Sequence, residues 1–176
     1  MEDSSIKILD RLDILTLERL KNEAELIFDD LIATENIIIN KANNFFQILI
    51  VMLVSLIGYL ISQLPRINFH SYLIQAALIF TVCLSLSIGT LLKIIYPTKI
   101  KLKGSTPSSL LKSDIFDGSA YETENLLSNR VLSLDRDIYE NRINQTNRMN
   151  LFKRSVWFTM YGILAVIIST IINLYV

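Results

Sequence analysis

Three uncharged apolar runs divide this chain. Residues 45–64, 72–92 and 156–176 contain no Asp, Glu, Lys or Arg, and each is 20 or 21 residues long. A helix rises about 1.5 Å per residue and the hydrocarbon core of a bilayer is roughly 30 Å thick, so each run is long enough to span. The pattern predicts an all-α membrane protein with three transmembrane helices, and a function exercised at a bilayer.

The polar stretches between the runs are also periodic. In residues 9–43, Leu9, Leu12, Leu20, Ala24, Ile27, Phe28 and Leu31 recur at three- and four-residue steps, with Glu18, Lys21, Glu25 and Asp29 off that stripe. No Pro or Gly precedes Gly58, so the stripe predicts one helix running into the first span. Tyr96-Pro97 ends the second span. Thr106-Pro107 then reads as the N-cap and first position of a short helix over 107–115, and Ser119-Ala-Tyr-Glu122 as a capping box. Beyond it, Leu127, Val131, Leu134, Ile138, Met149 and Phe152 form a second stripe with no breaker before Gly162. Helices are therefore expected over about 9–64, 72–95 and 120–174. The segments 9–43 and 120–154 have equal length, roughly 50 Å each if helical, and enter the membrane in the same direction. They can lie parallel with their stripes facing. Asn141, Asn144, Gln145 and Asn147 interrupt the second stripe, as a solvated turn or as a buried polar layer.

Basic residues orient the chain. Five lie in 1–44, one (Arg66) in the loop 65–71, and eleven in 93–155. Lys41, Lys93, Lys99, Lys153 and Arg154 flank span ends on one side, which is expected to be cytoplasmic. The N-terminal arm (1–44) and the segment 93–155 then lie inside, in one integrated domain with the spans. The start is acidic and polar, so no cleavable signal peptide is expected. Mean hydropathy is +0.41 with 51% hydrophobic residues, which fits a membrane protein. Seventeen basic residues against seventeen acidic ones give no excess for DNA or RNA.

Chemistry has little foothold. The sequence has no phosphate-binding glycine loop, no HExxH and no His/Cys cluster at metal spacing, so no enzyme, metal or cofactor is expected. The single histidine, His70, falls in the outer loop, and the single cysteine, Cys83, falls mid-span. No charge sits mid-span, which argues against an ion-coupled transporter. Small residues four apart (Gly58/Ser62, Ser85/Gly89, Ala165/Ser169) suit close helix packing, within one protomer or between protomers. Lys99, Lys101 and Lys103, with Lys41, Lys153 and Arg154, ring the membrane-proximal base of the arms. Such a ring anchors topology and attracts anionic lipid, and it could also receive a small phosphate ligand. Arg148 is a further donor at that level, and Tyr121 or Phe116 could stack on a base. A single pair of arms leaves apolar surface uncovered, so a homo-oligomer is expected, with Leu127, Val131 and Leu134 contributing to its contacts.

The order of short motifs resembles the transmembrane effectors of Pycsar antiphage defence over most of the chain. That family has an Asp-x-Lys-Ala type motif leading into its first span, matched here by Asn40-Lys41-Ala42-Asn43, with Asn40 in place of the acidic residue. Pro97, Phe116 and Tyr121 follow in the family's order, and residues 147–153 resemble its polar-then-Lys entry to the last span. The resemblance implies a multi-pass inner-membrane effector, held inactive until a partner cyclase makes a cyclic nucleotide such as cyclic UMP or cyclic CMP. It would then impair the inner membrane of an infected cell. A membrane effector gated by another nucleotide or by a partner protein, and a non-sensing adaptor, stand beside it.

Overall fold

The computed structural model describes residues 12–63, 72–96 and 122–175, in three helices: α1 (Ile14–Gln63), α2 (Tyr72–Ile95) and α3 (Glu122–Tyr175). At 50 and 54 residues, α1 and α3 are roughly 75 and 80 Å long, far more than a bilayer core requires. Both run without a break from polar sequence into apolar sequence, as the lack of Pro and Gly predicts. The outer loop with His70, the expected helix over 107–115 and the Ser119 capping box lie outside the described residues.

One boundary differs from expectation. Leu12 and Asp13 are not helical, and the first helical bond runs from the Leu17 amide to the Asp13 carbonyl at 3.1 Å. Asp13 is therefore the N-cap, a position that Asp favours because its side chain competes with helical bonding further in. At the far end of α2, the Tyr96 amide bonds the Leu92 carbonyl at 2.9 Å just before Pro97.

The inward face of α1 follows an alternation of four- and three-residue steps. Leu17, Lys21, Ala24, Phe28, Leu31, Glu35, Ile38, Ala42, Phe45, Leu49, Met52 and Leu56 are all buried or half-buried. A 3.5-residue period is the signature of coiled-coil packing. It corrects the sequence stripe at Ile27, which is 48% exposed, whereas Leu17 is fully buried. On α3 the buried positions Leu134, Asn141, Arg148, Ser155 and Gly162 fall at seven-residue steps. Met149, expected on the inward stripe, is exposed because it lies about 100° around the helix from the buried Arg148.

The chain forms two compact units. The first contains 1–35 and 99–145; its core is Leu17, Phe28 and Leu134, all fully buried. At its edge the Arg130 Nη2 lies 3.6 Å from the Glu25 Oε1, with both side chains partly exposed. An ion pair of that kind contributes roughly 0.3–1 kcal/mol. The second unit contains 36–98 and 146–176, around Ile38, Ala42 and Leu49 of α1 and Leu84, Leu91 and Ile94 of α2. Within it Phe45 meets Phe152 edge-to-face at 6.0 Å, where α1 and α3 begin their spans. Contacts between α2 and α3 pair Ser87 with Ser155 and Phe80 with Gly162, so these two helices are antiparallel.

The second unit is largely apolar on its outside. Only 6% of the most apolar window of α1, 28% of that of α2 and 17% of that of α3 is buried. Water would not tolerate that surface, whereas lipid tails cover it. Exposed aromatic side chains gather at both ends: Tyr96, Trp157 and Tyr161 at one, Tyr59, Tyr72 and Tyr175 at the other. Aromatic belts of this kind mark the two membrane–water interfaces. The chain is a multi-pass membrane protein.

Two glycines in the spans have opposite surroundings. A Cβ on Gly162 would collide with the Phe80 ring and come within 3.0 Å of the Cys83 Cβ, whereas one on Gly89 would meet nothing within 4 Å. Close approach of α2 and α3 thus depends on Gly162, outside the small-residue pairs that the sequence suggests. Gly162→Ala is expected to cost about 1–3 kcal/mol through overpacking, whereas Gly89→Ala should cost nothing and can stabilise by up to about 1 kcal/mol, since glycine is a poor helix former. Reversible unfolding of the purified protein in mixed detergent micelles would check both; equal stability of the two variants would contradict this packing.

Candidate functional site

The stretch where α1 and α3 approach the membrane carries most of the residues that the sequence singles out. Asn40 and Lys41 are exposed on α1, Asn43 is half-buried, and Ala42 is fully buried in the apolar cluster with Ile38 and Leu49. The motif therefore divides by physical role. Ala42 lies on the inward seam, where a larger side chain would push the helices apart. Lys41 is directed outward, at the level where a cation meets headgroups.

The six candidate phosphate donors divide in the same way. Lys99, Lys101 and Lys103 lie outside the described residues, as do Phe116 and Tyr121. Lys153 and Arg154 are exposed on α3, just before its apolar run. Arg148 is 4% exposed and occupies the inward seam, seven residues before Ser155. A guanidinium taken out of water loses several kcal/mol of solvation, roughly, and arginine is the cation best suited to such a place. Helical geometry thus separates Arg148 from Lys153 and Arg154, which face outward.

The polar interruption on α3 leaves the helix intact. Asn141 is 3% exposed, Asn144 and Gln145 are half-buried, and Asn147 is exposed. At Asn141 the interruption is a buried polar layer. Within the same unit, Glu35 is also buried, at 3% exposure. Sequence reading did not select Glu35, although its position seven residues after Phe28 and seven before Ala42 puts it on the seam.

Below Arg148, three hydroxyl groups fasten α2 to α3. The Ser87 Oγ lies 2.6 Å from the Ser155 Oγ, 3.0 Å from the Thr159 Oγ1 and 2.9 Å from the Ser155 carbonyl oxygen. In return, the Ser155 hydroxyl can donate to the Ser87 carbonyl at 3.2 Å, and the Thr159 hydroxyl to the Ser155 carbonyl at 3.2 Å. All three residues are buried. Their partners are hydroxyl and carbonyl oxygens, which are too weakly basic to activate a serine, so this arrangement is a clasp. Among the described residues, no group of three or more His, Cys, Asp or Glu is placed to hold a metal ion. The sequence names small residues beside this clasp, Ser85 and Gly89, but both are exposed.

The clasp predicts modest, graded costs. Hydrogen bonds between helices in lipid contribute about 0.6 kcal/mol on average and up to about 1.7. Ser155→Ala should destabilise by that order, and Ser87→Leu by more, since a larger side chain has no room at a fully buried position. Detergent unfolding curves would measure both, and an unchanged Ser87→Leu would contradict the packing.

With this geometry in place, comparison with known proteins gives one family. The family model for the Pycsar effector protein domain matches residues 29–174. No curated protein and no solved structure matches the chain.

Proposed function

Since a match over residues 29–174 of 176 means that the chain belongs to the Pycsar effector family, and so is an antiphage-defence membrane effector, we propose that it responds to a cyclic nucleotide by impairing the integrity of the inner membrane. The ligand in this reading is cyclic UMP or cyclic CMP made by a partner cyclase. The N-terminus and both arms are cytoplasmic, in line with the basic residues around the span ends. The protein acts without catalysis, as a homo-oligomer.

One observation supports this reading most: α1 and α3 each continue unbroken from arm to span. A helix without a hinge carries a tilt or rotation of the arm into the membrane, because its backbone bonds leave no soft joint. The phosphate site draws on Lys99, Lys101, Lys103, Arg148, Lys153 and Arg154. Each hydrogen bond to a charged phosphate contributes roughly 1.5–3 kcal/mol.

The test is membrane potential in cells expressing the protein, with cyclic UMP, cyclic CMP and cyclic dinucleotides supplied separately. Depolarisation is expected with a cyclic pyrimidine nucleotide alone. Response to cyclic dinucleotides only, or to none, would replace this reading with another signal or with an adaptor. Single Arg148→Gln and Lys153→Gln variants that insert normally should need about ten- to a hundredfold more nucleotide for the same response. If all six Lys→Gln or Arg→Gln variants insert and respond like the parent, the cations are only a lipid anchor.

A further inference from the structure

A net charge of zero hides an uneven division of the charges. The unit made of 36–98 and 146–176 contains six basic residues (Lys41, Arg66, Lys93, Arg148, Lys153 and Arg154) and no Asp or Glu. All seventeen acidic residues belong to the other unit. Within its own unit, therefore, a cation at the membrane finds no side-chain carboxylate. Lys153 and Arg154 are both exposed, and among the described residues no ion pair or hydrogen bond engages either side chain.

These two cations head an ordered column on α3. Lys153, Arg154, Trp157, Tyr161, Leu164 and Ile168 follow one another at three- and four-residue spacings and share one face of the helix. Trp157, Tyr161, Leu164 and Ile168 are 58%, 57%, 49% and 56% exposed. Ser155, Thr159 and Gly162, which are buried, lie on the opposite side, so the column points away from α2. The Trp157 and Tyr161 rings are stacked, with centroids 5.9 Å apart and 29° between their planes. Down the column the chemistry passes from cation to amphipathic aromatic to aliphatic. A phospholipid presents phosphate, glycerol ester and acyl chain in the same order. Arg154 precedes Trp157 by about 5 Å along the axis, which fits the roughly 5–8 Å depth of a headgroup layer.

We propose that this face of α3 is a binding site for an anionic phospholipid. Its phosphate is held by Lys153 and Arg154, and its glycerol region and upper acyl chains lie on the Trp157–Tyr161 pair. The missing carboxylates set the lipid class. A choline or ethanolamine headgroup brings its own cation to a place that already holds two and offers no counter-charge. A glycerol headgroup brings net negative charge instead. A second copy of this chain is a poor occupant, because a parallel two-fold contact would set Lys153 and Arg154 against their own counterparts. The site narrows a general attraction of the basic ring for anionic lipid to two residues and one face. It goes beyond the nucleotide reading and stands without it. In a membrane that holds no nucleotide these cations meet lipid phosphate, and a nucleotide phosphate using them has to displace it.

Trp157 is the only tryptophan in the chain, so its fluorescence reports this face alone. The test uses the full chain, reconstituted without nucleotide in mixed bilayers of phosphatidylcholine and phosphatidylglycerol. One lipid and then the other carries brominated acyl chains, which quench tryptophan on contact. Phosphatidylglycerol is expected to occupy the face in preference by roughly fivefold or more, and raised salt to weaken that preference. Lys153→Gln/Arg154→Gln should bring the two lipids to parity, whereas the charge-conserving Lys153→Arg/Arg154→Lys should keep the preference. Equal quenching by the two lipids in the parent protein would overturn the site, as would a preference that survives loss of both charges. If neither lipid quenches Trp157, protein covers the face and the site is overturned as well.

Discussion

One periodicity governs this molecule. Along α1 the inward positions alternate by four and three residues from Leu17 to Leu56, and the alternation does not change where the helix leaves water for lipid. A straight α-helix with 3.6 residues per turn would let such a face drift by about 20° every seven residues, so keeping it inward requires a gentle left-handed coil. The physical reason for burying the face does change along the way. In water, Leu17, Phe28 and Leu134 are buried because exposing them is costly. In lipid that difference vanishes, since tails are as apolar as leucine, and close fit and hydrogen bonding take over. The seam of α3 follows the change, from Leu134 in the arm to Ser155, Thr159 and Gly162 at the span, while α1 keeps Phe45, Leu49 and Leu56 on its seam.

That change also explains which features could be read from the sequence. The spans are legible because they exclude charge, and the continuity of α1 and α3 because both membrane entries lack Pro and Gly. The arms' stripes are legible in outline, since polar residues there mark the outer face. The choice between adjacent apolar positions is harder: Ile27 and Phe28 look alike in a stripe, and only tertiary packing buries the second and exposes the first. Inside the spans nearly every position is apolar, so contrast disappears and the inward face has no compositional signal. The serine clasp and Gly162 were missed for that reason. Extending the arm's seven-residue register downward would have found them, because Asn141, Arg148, Ser155 and Gly162 continue it from Leu134.

The buried polar residues have a place in the same register. Asn141 and Glu35 in one unit, and Arg148 in the other, occupy seam positions that apolar residues would fill at lower solvation cost. A polar group on a coiled-coil seam lowers stability and raises the cost of every other register, which fixes one pairing among several. Long parallel helices need such a device, since a seven-residue slip would otherwise bury much the same apolar area.

The nucleotide response proposed above requires arms whose packing a small ligand can change. Among the described residues their core is Leu17, Phe28 and Leu134, and the Glu25–Arg130 pair at its edge is partly exposed. The spans are fastened by the Ser87–Ser155–Thr159 clasp and the close approach at Gly162. A ligand shifts a conformational equilibrium only by its difference in affinity for the two states. On the proposed reading, a small nucleotide with a few hydrogen bonds of roughly 1.5–3 kcal/mol each would act by repacking the arms. On that reading the unbroken course of α1 and α3 from polar into apolar sequence is what links a change at the arms to the membrane.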